Sequence, residues 1–278
     1  MQFYQYLKLI RIHQPAGIFL LLWPCLWGVA LARGTGNLTF IAILILGSVL
    51  MRSIGCIIND IVDIDFDKNV ARTKNRPLAN GGVSIKEAFG LLIVLSLMAI
   101  CILPYFNTTA FTIAVVSIFL VILYPFMKRI TFWPQLFLGV TFNIGSLLAY
   151  AQIIGAIEMP VMLLYIAGIC WTLGYDTIYG YQDINDDLKI GVKSSAIAIG
   201  SSPARTLAFF YFSMILLIAV SAALIDASHW TLILLVPPIF LLAWQVYTLD
   251  ITSPKNCLIR FKSNIYVGLL IFGALCVA

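Results

Sequence analysis

The stretch LTFIAILILGSVLMRSIGCII (residues 38–58), running without a break into NDIVDIDFD (residues 59–67), decides the fold. Its first part has the length of a membrane-crossing helix, which takes about 20 apolar residues, and Arg52 is its only charge. Its second part places four carboxylates, Asp60, Asp63, Asp65 and Asp67, where that helix would leave the lipid. Working outward, eight more apolar runs lie near residues 15–32, 88–106, 109–127, 134–154, 159–181, 204–225, 230–249 and 264–278. Of the 278 residues, 62% are hydrophobic and 10% charged, with a mean hydropathy of +1.01. A soluble chain carries about a quarter charged residues, so this apolar surplus requires lipid as its solvent. The expectation is one all-α, polytopic membrane domain over residues 1–278, with nine transmembrane helices.

Charge gives the chain a direction. With Lys8 and Arg11 in the cytoplasm, nine spans bring 15 of the 17 Lys and Arg residues to that side, leaving Arg33 opposite and Arg52 inside the second span. This is the positive-inside pattern, with the N-terminus inside; the expected location of this multi-pass protein is a bacterial inner membrane. The net charge of +5 is too small and scattered for nucleic acid. Six cysteines stand singly, with no ligand-like spacing, so zinc, haem and disulfide readings lack support. Residues 1–14 lack a transit-peptide composition and a cleavage site, and the first apolar run reads as a retained span. Arg11 and His13 are assigned to the membrane interface.

Eight of the twelve acids fall in two stretches, residues 59–67 and DTIYGYQDINDD (residues 176–187). The first closes the second span and the second closes the sixth, so both face one compartment. If helix persists, Asn59, Asp63 and Asp67 recur every four residues, each about 40° round from the last. Asp176 and Asp183 lie seven apart, with Tyr179 between them and Asp187 a turn beyond. Ionised groups starting inside apolar spans are costly and usually functional. Their equivalent places about 120 residues apart suggest an internal duplication, with halves of approximately 1–130 and 131–278. Facing carboxylates repel unless a cation lies between them, and oxygen-only ligands favour Mg2+ or Mn2+ over zinc. Bases follow each cluster: Arg72, Lys74 and Arg76 after the first, Lys189 and Lys193 after the second. Acids to hold a metal beside bases to hold phosphate suit a diphosphate leaving group.

At these residues the chain resembles the membrane-embedded aromatic prenyltransferases of the UbiA superfamily. Residues 59–77 match NDxxDxxxD followed by RTxxRP, and residues 176–191 match DxxYxxxDxxxDxxxG. The branch that prenylates 4-hydroxybenzoate is the most similar, through residues 9–17, Leu20 to Pro24, Tyr124 to Arg129, and Pro134-Gln135. The resemblance implies nine helices around a cavity with aspartate-rich cytoplasmic caps. It also implies transfer of a polyprenyl chain from polyprenyl diphosphate to the ring carbon ortho to the phenol of 4-hydroxybenzoate, in ubiquinone biosynthesis.

On this reading Asn59, Asp63 and Asp67 face Asp183 and Asp187 across one or two Mg2+ ions. Arg72, Arg76, Lys128 and Arg129 are candidates for the diphosphate, and the resemblance favours Arg129 as reaching inward. Tyr179 offers a ring face to an allyl cation, and Asp176 or Asp183 takes the ring proton. Arg52 projects from the face of Asn59, two turns deeper, either to clamp the benzoate carboxylate or to pair with a motif acid. The rivals are another acceptor, of naphthoate or haem type, and a cation-coupled transporter, whose acids would sit nearer the midplane.

Overall fold

The computed structural model describes residues 2–278, and its long helices follow from the apolar runs and the polar residues that punctuate them. The chain forms α1 (Gln2–Leu9), α2 (Ala16–Leu31), α3 (Leu38–Val62), α4 (Ile64–Asp67), α5 (Ile85–Ile100), α6 (Thr108–Leu123), α7 (Met127–Ile130) and α8 (Pro134–Ile154). It continues through α9 (Met159–Gly180), α10 (Ile184–Ile190), α11 (Ser195–Ile199), α12 (Ala204–Ala223), α13 (His229–Leu234), α14 (Val236–Tyr247) and α15 (Pro254–Leu275). Short polar side chains satisfy the free N–H groups at several helix starts. Asn37 accepts from the Phe40 N–H at 3.0 Å to open α3, and Asn107 accepts from Ala110 at 2.9 Å to open α6. Ser84 and Glu87 form a reciprocal capping box at α5.

Among the described residues, eight helical segments are long and apolar enough to cross a membrane, and the 16-residue α2 is a shorter ninth. The chain is an integral, multi-pass membrane protein. α9 packs against α8 and α12, and α2 is held between α8 and α15. Tryptophans tie this side together. The Trp27 and Trp171 rings lie 4.9 Å apart, the Trp27 indole N–H donates to the Gly268 carbonyl at 2.9 Å, and that of Trp171 donates to Asn264 Oδ1 at 2.7 Å. The opposite wall is thinner: α5 buries only Ala88 and turns most of its apolar surface outward, as a lipid-facing helix does. Between the two sides lies the cavity.

Several boundaries differ from the sequence reading. The last span starts at Pro254, ten residues before 264, because Arg260 and Lys262 sit on a helix whose first turns stand among the polar groups of the caps. The eighth is broken at Leu235 into α13 and α14, since Pro237 and Pro238 lack the N–H groups that would continue the ladder. Both acid-bearing helices stop within their motifs, α3 at Val62 and α9 at Gly180, so the acids continue on the short helices α4 and α10.

Candidate active site

Both acid clusters emerge at the same end of the bundle, and the connections there fold over a cavity of about 1150 Å³. It is walled deeper down by α3, α5, α6 and α8 and extends as far as Phe106. The break after α3 does not scatter the first motif. The Asp63 N–H donates to the Asn59 carbonyl at 2.9 Å, and the Asp67 N–H to that of Asp63 at 2.8 Å. One column of α-type hydrogen bonds therefore survives, and it brings Asn59, Asp63 and Asp67 to the cavity wall. After α9 the same device recurs, with the Asp187 N–H donating to the Asp183 carbonyl at 2.9 Å.

Bases meet these acids directly. Lys128 Nζ lies 2.5 Å from Asp63 Oδ2, and Arg76 Nη1 lies 2.7 Å from Asp67 Oδ2. Arg72 grips both oxygens of Asp183, at 2.9 Å from Nε and 2.5 Å from Nη2, and donates to the Tyr179 hydroxyl at 2.8 Å. Its guanidinium also lies 5.0 Å from the centre of the Tyr179 ring, and the Phe261 ring is 4.4 Å from that ring. Beside Arg72, the Ala71 N–H donates to Asp186 Oδ2 at 3.1 Å. The loop after the first motif is thus latched onto the second.

Of the residues assigned from the sequence to the metal, the diphosphate, the allyl cation, the ring proton or the acceptor, all but Arg129 line the cavity. Arg129 donates to the Val62 carbonyl at 2.7 Å and lies over the Phe66 ring, while Lys128 takes the inward position. Arg52 lines the deeper part and forms no ion pair within 4 Å among the described residues. Asp176 faces the cavity and, unlike Asp183, forms no ion pair within 4 Å among the described residues. Two site residues escaped the sequence reading. Asp60, 1% exposed, binds Arg76 at 3.1 Å and also pairs with Arg11, which leaves the interface and turns inward. The only signal was the position of Asp60 next to Asn59.

Electrostatics separate these acids. Burial pushes the Asp63 carboxyl up, against the pull of Lys128. Burial and the charge of Asp183 push Asp187 up to about 7. For Arg72 burial opposes the charge, yet Tyr179 and Asp183 outweigh it and raise its pKa.

Whether these groups suit a divalent cation can be tested on the donors themselves. Among the described residues no three acidic, histidine or cysteine side chains converge as a ready-made metal cluster. Mg2+ rarely asks for one: it takes one or two carboxylates together with phosphate oxygens and waters. The Asp63 Oδ1 atom is buried without a hydrogen-bond partner, and such an oxygen is costly unless a cation or donor reaches it. All-oxygen donors on two facing motifs fit a hard ion.

The profile of the UbiA prenyltransferase family matches residues 21–270. The chain belongs to the UbiA prenyltransferase family. Within it, the chain is 42% identical over 268 residues to a 4-hydroxybenzoate octaprenyltransferase of Francisella tularensis subsp. mediasiatica, covering 96% of this chain and 94% of that one. It is 40% identical over 274 residues to a mitochondrial 4-hydroxybenzoate polyprenyltransferase of Caenorhabditis elegans, covering 97% and 77%. The fold matches an apo UbiA homologue from Aeropyrum pernix, with a TM-score of 0.75 at 22% identity over 94% of this chain and 97% of that one. A UbiA homologue from Archaeoglobus fulgidus, solved bound to GPP and Mg2+, gives a TM-score of 0.70 at 18% identity over 99% and 100%. These UbiA homologues therefore share this helix arrangement over nearly the whole chain.

Proposed function

We propose that the protein transfers a polyprenyl group from polyprenyl diphosphate to the ring carbon ortho to the hydroxyl of 4-hydroxybenzoate, yielding 3-polyprenyl-4-hydroxybenzoate for ubiquinone biosynthesis. The observation that carries this is the near-full-length likeness to a 4-hydroxybenzoate octaprenyltransferase, in a chain whose paired acids and bases line one intramembrane cavity. Asn59, Asp63 and Asp67 on one side, and Asp183 and Asp187 on the other, are the groups that would hold Mg2+. Bound there, the ion would neutralise charge on the departing diphosphate.

The protein's own residues do the rest. Lys128, Arg72 and Arg76 are bound to motif acids, and diphosphate oxygens compete for the same donors as stronger, more highly charged acceptors. Arg129 stands behind Lys128 as a second positive charge near Asp63. The Tyr179 ring already stacks a guanidinium, so its face suits an allyl cation equally well. Walls of α3, α5, α6 and α8 keep water from that cation. Arg52 is the group for the benzoate carboxylate. Asp176 is the better placed of the two candidate bases for the ring proton, because Asp183 is held by Arg72. The tail must leave toward lipid between helices, and the two helix–cap units support a duplicated architecture with halves near 1–130 and 131–278. The basic residues at that end support caps that face the cytoplasm, and the proposed location is a bacterial inner membrane.

The test incubates membranes containing the protein with polyprenyl diphosphate and labelled 4-hydroxybenzoate, with and without Mg2+. Lipid-soluble label that depends on Mg2+ is the expected product. Transfer only to a naphthoate or porphyrin acceptor would replace the acceptor while keeping the chemistry.

A further inference from the structure

Gly17 opens α2 inside the motif at residues 9–17, and the mechanism above gives it no task. The helix needs no glycine there: Gly17 is buried in the first turn of a regular helix, where glycine costs about 1 kcal/mol relative to alanine. What occupies the missing side chain is the end of another residue. A β-carbon on Gly17 would fall 2.5 Å from Arg52 Nε and 2.7 Å from its Cζ and Nη2. The Phe142 ring of α8 lies near the same guanidinium, 5.6 Å from its centroid to Cζ. Arg52 is therefore seated between the bare backbone of α2 and an aromatic ring.

That seat has a chemical consequence. Arg52 carries its charge inside a membrane span and makes no described hydrogen bond or ion pair, although Asp176 faces the same cavity. An intramembrane guanidinium of this kind calls for an anion. It lies seven residues before Asn59, about 10 Å down the helix axis, which is too deep for a diphosphate held at the caps. A para-substituted benzoate spans such a gap with its carboxylate down and its phenol toward the caps.

We propose that Gly17 is a positioning residue for the acceptor: with no side chain, it leaves the seat on α2 from which the Arg52 guanidinium takes the acceptor carboxylate. This rests on the 4-hydroxybenzoate reading above and adds to it a determinant of acceptor selectivity. The clash made by a β-carbon is with the far end of a flexible side chain, not with backbone. Gly17→Ala therefore displaces the guanidinium while the fold stays intact.

The experiment measures equilibrium binding of labelled 4-hydroxybenzoate to the purified full-length protein, its Gly17→Ala and Arg52→Lys variants and the double variant, with melting temperature and donor KM alongside. Loss of a charge-assisted contact predicts about 10-fold or weaker binding for Gly17→Ala. Donor KM and melting temperature stay at the wild-type values. In the Arg52→Lys background, whose ammonium lacks the fork that rests on Gly17, the same change has less than about a twofold effect. Equal weakening in both backgrounds would overturn the proposal, as would unchanged binding in Gly17→Ala. A fall in melting temperature with parallel loss of donor affinity would also overturn it, by marking Gly17 as a packing residue. Arg52→Leu separates the two layers. If it leaves 4-hydroxybenzoate binding intact, the carboxylate role of Arg52 fails. If it weakens binding while Gly17→Ala is silent, only the role of Gly17 fails.

Discussion

At the scale of single residues, the acids of the two motifs are unequal, and one of them titrates where a cell lives. Asp187 is pushed up to about 7 by burial and by Asp183, so it is largely protonated at pH 6 and largely ionised at pH 8. A cation must displace that proton to use the carboxylate, so its affinity rises with pH. For a ligand of pKa about 7, the Mg2+ concentration giving half-maximal activity should fall about 10-fold between pH 6 and pH 8. Asp187→Asn should flatten that dependence and raise the Mg2+ requirement throughout; an unaltered slope would remove Asp187 from the metal set. The motif acids were legible in the sequence because carboxylates in so apolar a chain stand out. Their partners were not, because pairing depends on the path of the loop. Arg11 reads as an interfacial charge beside a chain end, yet the backbone turns there with a φ of 55° and carries it to Asp60.

At the scale of helices, small residues decide how closely the spans approach, since lipid gives them no hydrophobic reason to associate. α2 and α8 illustrate this. A β-carbon on Gly28 would run into the backbone carbonyl of Ser146, which cannot swing aside as the Arg52 side chain can. Gly28→Val should therefore separate the two helices and destabilise the protein by about 1–3 kcal/mol or more. A lowered melting temperature in detergent, with unchanged KM values in the surviving fraction, is the expected result; wild-type melting would show that the helices adjust. Hydropathy could not have revealed this contact. It locates spans, because crossing lipid is a property of each segment alone. It misplaced the start of α15 because charges at 260 and 262 suppress an apolar run even where the helix carries them among polar groups. The pairing of helices is a property of surfaces, and close approaches such as that at Gly28 display it.

For the molecule as a whole, the decisive asymmetry is that both caps, with their bases, sit at one end of the bundle. Arg33 reaches the Ile225 carbonyl at 3.1 Å, joining two connections away from the caps. This arrangement suits the supply of the substrates: the diphosphate and the acceptor anion are polar and meet the caps from water, while the tail stays in lipid. Basic residues flanking spans are retained on the cytoplasmic side during insertion, so the caps should face the cytoplasm. Cysteines placed at two surface positions can read this directly. Gly36, with open space around it, lies between α2 and α3; Lys68 is exposed in the first cap. In a background with the exposed Cys101 and Cys276 changed to serine, Gly36→Cys should react with a membrane-impermeant thiol reagent in intact spheroplasts. Lys68→Cys should react only in inside-out vesicles. The opposite result would place the acids outside, away from the cytoplasmic diphosphate. The positive-inside charge would then have to be read as substrate binding alone. Pre-incubation with Mg2+ and prenyl diphosphate sharpens the same measurement: it should slow labelling at position 68, which lies beside the latch from Ala71 and Arg72 to the second motif, and leave position 36 unaffected.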